Sequence, residues 1–435
     1  MTPPEAPDRV LRLPLPHPVD AAAVVRALGD ADLVWADRAA AGAGAVSFVA
    51  AAERILLADQ DEGPERVLGA LVGPRADSAV LGWWGWLSYE LGATAIGVPS
   101  PPASSPAAAF LHAAVGVEID HGTGAAAVVA LPGRRAAAEA LHRRLSAAPP
   151  AGPDRAPLPT AWSWRHDRDE YLAMVDACRE AIRAGDAYQL CLTNAATVRF
   201  ASPPDDVAVF RRLRATAPVP AALLLRIGGW SLASVSPEVF LHVDPSGRAL
   251  SRPIKGTRRR DADPAADRAL ADALRASGKE RAENTMIVDL VRNDLGRVAR
   301  VGSVEVTGLL EVETYPAVHQ LVSTVEADLA APPAAAVAAL LPAGSMTGTP
   351  KRSAVRILRD LEGGPRGVYA GAAGRVGADG AVELAVVIRS VVLHGDVATI
   401  GAGGGITILS DPDEEEAEVR LKARPLLAAC GVPGD

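Results

Sequence analysis

The chain has 435 residues, enough for two or three domains of average size or for one large domain. Acidic residues outnumber basic ones, 52 to 44, which gives a formal net charge of −8. Nonspecific nucleic-acid binding requires a basic surface, so this charge balance argues against a nucleic acid as the partner.

Cysteine content and hydropathy indicate the compartment. The three cysteines stand far apart, at Cys178, Cys191 and Cys430, and none has the spacing of a zinc site or a disulfide framework. No apolar run is long enough to span a bilayer, and the first residues lack the basic and apolar parts of a signal peptide. We therefore expect a cytoplasmic protein that binds neither a membrane nor a nucleic acid.

Lysine use is uneven along the chain. Four of the 44 basic residues are lysines, and all four lie in the second half: Lys255, Lys279, Lys351 and Lys422. Arginine supplies nearly every other positive charge. A retained lysine is therefore a candidate for a task that needs a compact ammonium, or an amine that can lose its proton.

The first region, residues 1–145, mixes predicted strands with one helix. The segment WWGWLSYE at 83–90 holds three of the seven tryptophans, which we expect to pack in the core. Residues 146–160 are rich in Pro, Ala and Gly, and they are predicted to form a linker or loop. The predicted strands are 46–51, 80–86 and 116–119, and the predicted helix is 134–145.

The second region, residues 161–435, interleaves helices and strands irregularly. This order favours an α+β fold over a doubly wound parallel sheet. The helices are predicted at 168–184, 263–276, 279–294, from about 350 onward, and at 412–429, and the strands at 188–198, 222–227, 231–235 and 239–243.

Two of these helices carry acids near their starts. On one, Glu280 and Glu283 lie a turn apart, and Glu283 belongs to a largely apolar stripe. On the last helix, Glu415, Glu418 and Lys422 share one face. Such acids complement the positive end of a helix dipole, which alone explains either set. The two sets together also suit Mg²⁺, which takes one or two protein carboxylates plus water and substrate oxygens.

Two glycine-rich segments lack the features of nucleotide-binding loops. GSMTGTPKRS at 344–353 does not have the spacing of a P-loop, and GAGGGI at 401–406 is followed by the strand-like sequence ITIL where a helix would be required. Their backbone N–H groups, and the helix start near Pro350, remain suited to a carboxylate or another anion.

Lys255 stands in RPIKGT at 252–257, between a predicted strand end and a glycine turn. The ordinary interpretation is a lysine in a surface turn. The scarcity of lysine in this chain favours a catalytic role instead.

These segments together resemble the chorismate-utilising enzymes, which include anthranilate, aminodeoxychorismate, isochorismate and salicylate synthases. The resemblance runs from about residue 168 to the C-terminus, and is looser in the first region, where WWGWLSYEL carries it. It implies an α+β fold like that of anthranilate synthase component I, with two packed β-sheets, outer helices and the first region interwoven with 161–435. The segments are, in order, GDAYQLCLTN, SPEVFL, RPIKGT, KERAENTMIVDLVRNDLG, GSMTGTPKRSAV, RGVYAGAAG, VVIRS, GAGGGI and SDPDEEEAEVRLKA.

The resemblance also implies an Mg²⁺ cofactor and a set of site residues. The magnesium carboxylates of the family correspond to Glu283 and Glu418, with Glu280 and Glu415 nearby or acting through water. An arginine among the substrate-binding positions suits a bidentate grip on a carboxylate of chorismate. Those substrate-binding positions correspond to Gln189, Thr257, Tyr369, Arg389, Gly403 and Lys422.

Two positions distinguish among the reactions of the family. Isochorismate and salicylate synthases use a lysine to activate water where this chain has Gln189, which cannot accept a proton from water. Anthranilate synthases usually have a small residue where this chain has Lys255, and the form PIKGT is similar to aminodeoxychorismate synthases. There, the lysine attacks C2 of chorismate as the 4-hydroxyl leaves, ammonia then enters at C4, and pyruvate is retained.

That reaction implies two catalytic residues, Lys255 and Glu238. Glu238 in SPEVFL corresponds to a proton-transfer residue that assists loss of the hydroxyl. Lys255 has to be neutral to attack, so we expect burial and nearby cations, Mg²⁺ and Arg252, to lower its pKa.

Ammonia is expected from a separate glutamine amidotransferase subunit, because the sequence shows no nucleophilic-cysteine motif of a glutaminase. The leading hypothesis is amination of chorismate at C4 to 4-amino-4-deoxychorismate, for folate by way of para-aminobenzoate or for a specialised product. Two alternatives stay open: an anthranilate synthase component I with an atypical lysine, and a catalytically silent homologue that binds chorismate.

Overall fold

The computed structural model describes residues 9–41, 45–147, 154–216, 219–316 and 318–433 of the chain. These ranges contain twenty-two strands and eleven α-helices. The strands are β1 Leu11–Pro14, β2 Leu33–Asp37, β3 Val46–Ala51, β4 Arg54–Ala58, β5 Gly82–Leu87, β6 Ala108–Ala113, β7 Val115–Asp120, β8 Ala126–Ala130, β9 Pro159–Trp164, β10 Gln189–Phe200, β11 Ala222–Ile227, β12 Trp230–Ser234, β13 Val239–Val243, β14 Arg248–Arg252, β15 Ile254–Arg259, β16 Glu305–Thr314, β17 Val318–Asp328, β18 Gly348–Thr349, β19 Ala372–Gly377, β20 Val382–Val386, β21 Ser390–His394 and β22 Val397–Ile406. The helices are α1 Ala21–Leu28, α2 Pro64–Gly69, α3 Tyr89–Ala95, α4 Arg135–Ser146, α5 Arg168–Arg183, α6 Asp206–Thr216, α7 Pro264–Ala276, α8 Gly278–Gly296, α9 Pro333–Leu340, α10 Lys351–Glu362 and α11 Pro412–Ala429.

Twelve strands form the larger sheet, and the pairings in it are antiparallel. Their order is β1-β8-β7-β3-β2-β11-β12-β21-β22-β10-β18, with β9 also paired to β10. The longest ladder joins β10 to β22, from Leu190 opposite Ile406 to Arg199 opposite Val397. This ladder carries the candidate site at its Leu190 end.

Ten strands form the smaller sheet, which is also antiparallel. Their order is β15-β17-β14-β13-β20-β19-β5-β6-β4, with β16 paired to β17. Strands from before and after the segment 146–160 are neighbours in both sheets, because β2 pairs with β11 and β5 pairs with β19. The division of the chain into residues 1–145 and 161–435 stays a prediction. In the structure, strands of the two regions pair with each other in both sheets.

The two sheets pack face to face. Phe48 of the larger sheet stacks on Trp84 of the smaller one, with ring centroids 6.1 Å apart. The same buried cluster contains Val34 and Leu225 from one sheet and Trp86 from the other. The predicted core position of the tryptophans is confirmed, since Trp83, Trp84 and Trp86 are all buried. The predicted α+β architecture of two packed sheets with outer helices is confirmed as well.

Helices begin where the sequence supplies capping side chains. Asp167 and Glu170 form a capping box at the start of α5. Ser277 caps α8 by accepting a hydrogen bond from the Glu280 N–H, and Asp411 caps α11. The helices predicted at 168–184, 263–276, 279–294 and 412–429 are found with ends no more than two residues away.

Two predicted local structures in the second region are wrong. The glycines of 401–406 belong to β22, and the chain turns after Ile406, so ITIL is not a following strand. Lys255 lies within β15 and not in a turn. The strand is irregular there, because its register on β17 shifts between Ile254 and Thr257, and Gly256 has φ +82°. A glycine adopts such a backbone without the strain of a side chain.

The predicted linker 146–160 is shorter in the structure. Its first residue ends α4 and its last two belong to β9, which pairs with β10. Residues 148–153 lie outside the described residues. Among the helices of the described ranges, none combines the length and the apolar character that a bilayer crossing requires.

Candidate active site

Four glycines of β22 form the floor of the candidate site: Gly401, Gly403, Gly404 and Gly405. We call them the glycine floor. Gly405 lies beneath three predicted site residues. A Cβ atom on Gly405 would lie 2.5 Å from Gln189 Nε2, 3.1 Å from Glu283 Oε2 and 3.5 Å from Lys255 Nζ. The polar ends of side chains from β10, α8 and β15 therefore meet over one patch of bare backbone.

The other floor glycines receive further predicted residues. A Cβ on Gly404 would lie 2.9 Å from Glu415 Oε2 and 4.0 Å from Glu418 Oε1. A Cβ on Gly401 would lie 2.1 Å from the Tyr369 ring. Successive strand residues face opposite sides, so Glu415 approaches β22 from the side opposite to Gly405. The run of glycines is required because side chains pack directly on the strand.

Lysines tie the acid-rich helix starts to this floor. Lys422 Nζ donates to the Gly403 carbonyl at 2.7 Å and lies 2.5 Å from Glu418 Oε1. Lys279 Nζ of α8 donates to Glu415 Oε1 of α11 at 3.0 Å, and the Ser410 hydroxyl donates to the same oxygen at 2.7 Å. These contacts hold the first turns of α8 and α11 side by side.

The two predicted magnesium carboxylates differ in proton affinity. Burial raises the pKa of Glu283 to about 7, against the lowering effect of Lys255 and with a further rise from Glu280. Burial acts on Glu418 in the same sense, yet its pKa is lowered overall because the Lys422 ammonium contacts it. Of these two carboxylates, Glu283 is thus the one whose negative charge is less compensated.

Lys255 is surrounded by groups that favour its charged form. Burial acts to lower the pKa of its ammonium, but the pKa is raised overall because the Cys191 sulfur and the carboxylates of Glu283, Glu238 and Glu418 face it. Burial keeps the Cys191 thiol protonated, so the carboxylates are the effective cause. The protein groups by themselves therefore raise the Lys255 pKa, and its lowering by a bound cation stays a prediction.

Arg252 does not assist Lys255 as expected. Its guanidinium is paired with the Glu313 carboxylate on β16. This arginine therefore balances an acid of the neighbouring strand, and any cation that neutralises the acids around Lys255 has to come from elsewhere.

Glu238 is buried close to the Lys255 ammonium. Its side chain is 6% exposed, and burial raises its pKa to about 7. The Ser345 hydroxyl and the ammonium groups of Lys255 and Lys422 act to lower that pKa. A carboxyl with this pKa holds a proton in an appreciable fraction of molecules near neutral pH, which suits proton transfer.

Tyr369 and Arg389 stand together beside the floor on strained backbone. Arg389 has φ +52°, and Ala370, next to Tyr369, has φ +64°. Left-handed conformations of this kind cost about 1–3 kcal/mol each in residues other than glycine, and they cluster at functional sites. Arg389 Nη1 donates to the Lys422 carbonyl at 3.2 Å. The guanidinium therefore contacts α11 at Lys422.

Thr257 is a predicted site residue that the structure does not bring to the floor, and Glu280 lies near it, against Gly256 of β15. It lies on β15 opposite Gln320 of β17, and its side chain is exposed. Lys255, two residues earlier, points to the floor across the register shift of the strand. A substrate-binding role for Thr257 has no support from this arrangement.

Side chains of the site offer donors to a magnesium ion. In the described part of the chain, no three carboxylate, imidazole or thiol groups stand close enough to share an ion as they are placed. The side chains that face the floor nevertheless offer carboxylate oxygens, which Mg²⁺ prefers. Gln189 Oε1 is buried and has no hydrogen-bond partner there, and Glu283 is poorly compensated. The residues present fit a hard cation with bound oxygen ligands.

A buried ionic cluster below the floor was not predicted. Arg366, 2% exposed at its side chain, donates to both carboxylate oxygens of Glu362, at 2.8 and 2.6 Å. Glu362 Oε1 also accepts the Thr193 N–H at 2.9 Å, opposite Gly403 of the floor. Arg366 begins the segment RGVYAGAAG, and Glu362 lies four residues before it. Charged residues are common in 351–366, so the sequence alone did not indicate that this pair is buried.

Glu90 joins this cluster from the first region. Its carboxylate accepts the Arg366 N–H at 2.7 Å and the Gly367 N–H at 3.0 Å. Burial raises its pKa to about 7, although both backbone hydrogen bonds act to lower it. The segment WWGWLSYE thus contributes a buried acid to the loop that carries Tyr369.

Glu90→Gln is expected to reduce the pH dependence of stability. The folded pKa of about 7 lies above the ordinary value of 4.5, so between these values the folded protein keeps a proton that the unfolded chain releases. This contribution is fully present below about pH 4.5 and is lost as pH rises through about 7, on the order of 3 kcal/mol in all. Denaturant midpoints at about pH 5 and about pH 8 measure it. Equal pH slopes in the wild type and the variant would contradict the raised pKa.

Comparison with known proteins places the chain among related sequences. Residues 31–428 match the family model described as chorismate binding enzyme. Aminodeoxychorismate synthase from Streptomyces griseus is 46% identical over 360 residues, which cover 80% of this chain and 50% of that protein. The protein of that name from Streptomyces pristinaespiralis is 44% identical over 365 residues, with the same two coverages. The chain spans about half the length of these curated relatives.

Solved structures share the fold. Anthranilate synthase component I from Streptococcus pneumoniae superposes with a TM-score of 0.74 and 27% identity, covering 97% of this chain and 93% of that chain. The menaquinone-specific isochorismate synthase from Escherichia coli has a TM-score of 0.77 at 20% identity, covering 98% and 95%, a likeness of fold alone. The predicted likeness to the anthranilate synthase component I fold is confirmed. The family match and the relatives show that this chain belongs to the chorismate-binding enzyme family.

Proposed function

We propose that the chain aminates chorismate at C4 to give 4-amino-4-deoxychorismate, with Lys255 as the nucleophile. One observation carries this proposal: Lys255 Nζ shares the floor of Gly405 with Gln189 and Glu283, and Glu238 faces it. A lysine in this position supplies an amine, and the glutamine beside it supplies no base for water. The relatives named aminodeoxychorismate synthase support the same choice within the family.

Magnesium is part of the proposal. Glu283 and Glu418 would hold it, with Glu280 and Glu415 nearby or bound through water. When bound, the ion supplies a positive charge that orients a substrate carboxylate and withdraws electron density from it. The same charge would offset the acids that raise the pKa of Lys255, so that burial favours the neutral amine.

The substrate is a dianion, and the site offers cations to hold it. Arg389 suits a bidentate grip on one carboxylate, and the Lys422 ammonium lies over the Gly403 carbonyl beside it. The Tyr369 hydroxyl, whose pKa is raised by burial, stays protonated and can donate a hydrogen bond. These contacts would place the ring above the floor, within reach of Lys255.

Two side chains carry the chemical steps. The Lys255 nitrogen bonds to C2 as the C4–oxygen bond breaks, and Glu238 gives its proton to the leaving hydroxyl, which departs as water. Ammonia then bonds to C4, and Lys255 leaves C2 as its amine. The enolpyruvyl group stays attached, so no pyruvate is released.

Ammonia would come from a separate glutamine amidotransferase subunit. All three cysteines of the chain are buried, and burial raises the pKa of Cys178 and Cys430 to about 12 and that of Cys191 in the same direction. A glutaminase nucleophile needs an accessible thiolate, which none of them provides. We place the enzyme in the cytoplasm, where its product serves folate formation by way of para-aminobenzoate or a specialised pathway.

Incubation with chorismate, magnesium chloride and an ammonium salt at alkaline pH tests the function, with products identified by mass. Aminodeoxychorismate without pyruvate is expected, and a chelator is expected to stop its formation. Anthranilate together with pyruvate would favour an anthranilate synthase component I with an atypical lysine. Chorismate binding without turnover at any ammonia concentration would favour the catalytically silent homologue.

A further inference from the structure

A small cavity lies beside Glu238, on the side of the segment GSMTGTPKRS. The space open to the centre of a water molecule inside it is about 10 Å³, close to the room that one water needs. Most of the lining is apolar, from β13, α8 and α9. The polar groups that line it are Glu238, Ser251, Asp294 and Ser345.

Ser345 marks the Glu238 end of the cavity. Its side chain is buried, at 5% exposure, and its Oγ has no well-formed hydrogen bond within the described residues. The hydroxyl is close enough to Glu238 to affect the proton affinity of that carboxyl. A buried hydroxyl without a partner costs free energy, and a water in the cavity would provide one.

Asp294 also lines the cavity, and it is paired with Lys351. Lys351 Nζ lies 2.6 Å from Asp294 Oδ2 and donates to the Leu340 carbonyl at 2.9 Å. Burial raises the pKa of Asp294 and lowers that of Lys351, and Arg297 also faces the pair. The two proton affinities therefore approach each other, which eases transfer of a proton between the groups. Neither the glycine floor nor the proposed function involves Lys351.

The proposed reaction requires a proton source for Glu238. Glu238 gives up one proton in each turnover, when the hydroxyl leaves as water, and has to regain one before the next. Its carboxyl is buried, and the floor, Lys255 and the bound substrate would separate it from solvent on the site side. A route for the returning proton has to pass through the protein on the opposite side.

We infer that Ser345, one cavity water and the Asp294–Lys351 pair form a proton relay that recharges Glu238. This inference rests on the proposed function. The cavity water passes a proton to Glu238 and takes one from Asp294, which Lys351 replaces. The nitrogen that enters at C4 releases one proton to solvent with the product, and solvent returns one proton to Lys351, whose side chain is 10% exposed. Ser345, Asp294 and Lys351 act through Glu238 and are positioning residues.

Infrared difference spectroscopy of the full chain tests the relay without any need for turnover. A buried, protonated carboxyl gives a separate C=O band, and Glu238→Gln assigns the band of Glu238. The expected result is that Ser345→Ala and the double variant Asp294→Asn/Lys351→Met each shift the pH midpoint of that band, by about one pH unit. The double variant removes both charges of the pair, so it leaves no unpaired buried charge.

Ser231→Ala is the matched control. Ser231 lies on β12 of the larger sheet, and its buried hydroxyl donates to Asp206 of α6. Deleting this hydroxyl should leave the Glu238 band unchanged. An unchanged midpoint in both relay variants, or the absence of a Glu238 band near neutral pH, would overturn the inference. In turnover assays, the double variant is expected to lower kcat about 10-fold at an unchanged KM for chorismate. Failure of the wild type to aminate would reject the proposed function, while the spectra would still decide the relay.

Discussion

Lys255→Ala is expected to abolish amination of chorismate while chorismate still binds. The variant loses the only amine that shares the floor above Gly405 with Gln189 and Glu283 within the described structure. Removing a covalent nucleophile lowers turnover by roughly three orders of magnitude or more. The substrate contacts proposed for Arg389 and Lys422 are untouched, so the dissociation constant of chorismate should change little. Product formation by mass and chorismate binding by calorimetry measure the two effects separately.

Lys255→Arg distinguishes a role of Lys255 as a nucleophile from a role of its positive charge. Arginine keeps a cation among Glu238, Glu283 and Glu418, and it does not lose a proton in proteins. The arginine variant is therefore expected to be as inactive as the alanine variant, although its local electrostatics are closer to those of the wild type. Appreciable amination by the arginine variant would show that Lys255 acts through its charge and would contradict the covalent role.

Arg366→Met is expected to lower the free energy of unfolding by about 3–5 kcal/mol, because it leaves the Glu362 carboxylate buried without its cation. Besides its two bonds to Glu362, Arg366 donates to the Met346 carbonyl at 2.6 Å and the Cys191 carbonyl at 2.9 Å. Its guanidinium also lies 4.3 Å from the centre of the Tyr89 ring. One side chain thus links β10, α10, α3 and the turn before β18. Denaturant titration measures the loss.

The double variant Arg366→Met/Glu362→Gln is the control for that prediction. It removes the unpaired charge, so it should recover part of the stability that the single variant loses. Arg26→Met removes an arginine whose side chain is 27% exposed and paired with Asp154, and it should cost at most about 1 kcal/mol. Similar losses for Arg366→Met and Arg26→Met would contradict the importance of burial.

The composition of the candidate site was accessible from sequence because several of its signals are local. Glu280 and Glu283, and likewise Glu415 and Glu418, lie on one face of a helix, and helical spacing predicts that without a structure. Asp411 and Ser277 cap the two helices because a side chain can bond to a nearby backbone N–H. The meeting of α8 and α11 is not local, and the resemblance to the family supplied it.

The errors have a common physical origin. The sequence ITIL was expected to form a strand after the glycines, yet the glycines themselves belong to β22. They are required there by Tyr369, Gln189 and Lys255, which pack against the strand from distant parts of the chain. Arg252 was expected to help lower the Lys255 pKa, but it pairs with Glu313, and the carboxylates of Glu283, Glu238 and Glu418 raise that pKa. Long-range contacts decided both outcomes, and neither leaves a periodic pattern in the sequence.

Lys255 and its neighbours show which features the sequence determines and which depend on the tertiary structure. The sequence by itself predicted, to within two residues, the helices at 168–184, 263–276, 279–294 and 412–429 and the strands at 188–198, 222–227, 231–235 and 239–243. It also supplied the candidate acids and the choice of lysine, since helix periodicity, capping and residue type are local properties. Only the tertiary structure decided that the glycines form a floor, that Thr257 stays away from it, and that Arg366 and Lys351 are buried with carboxylates. Burial and the distances between charges set proton affinities, and both exist only after two sheets and the helices around them have packed.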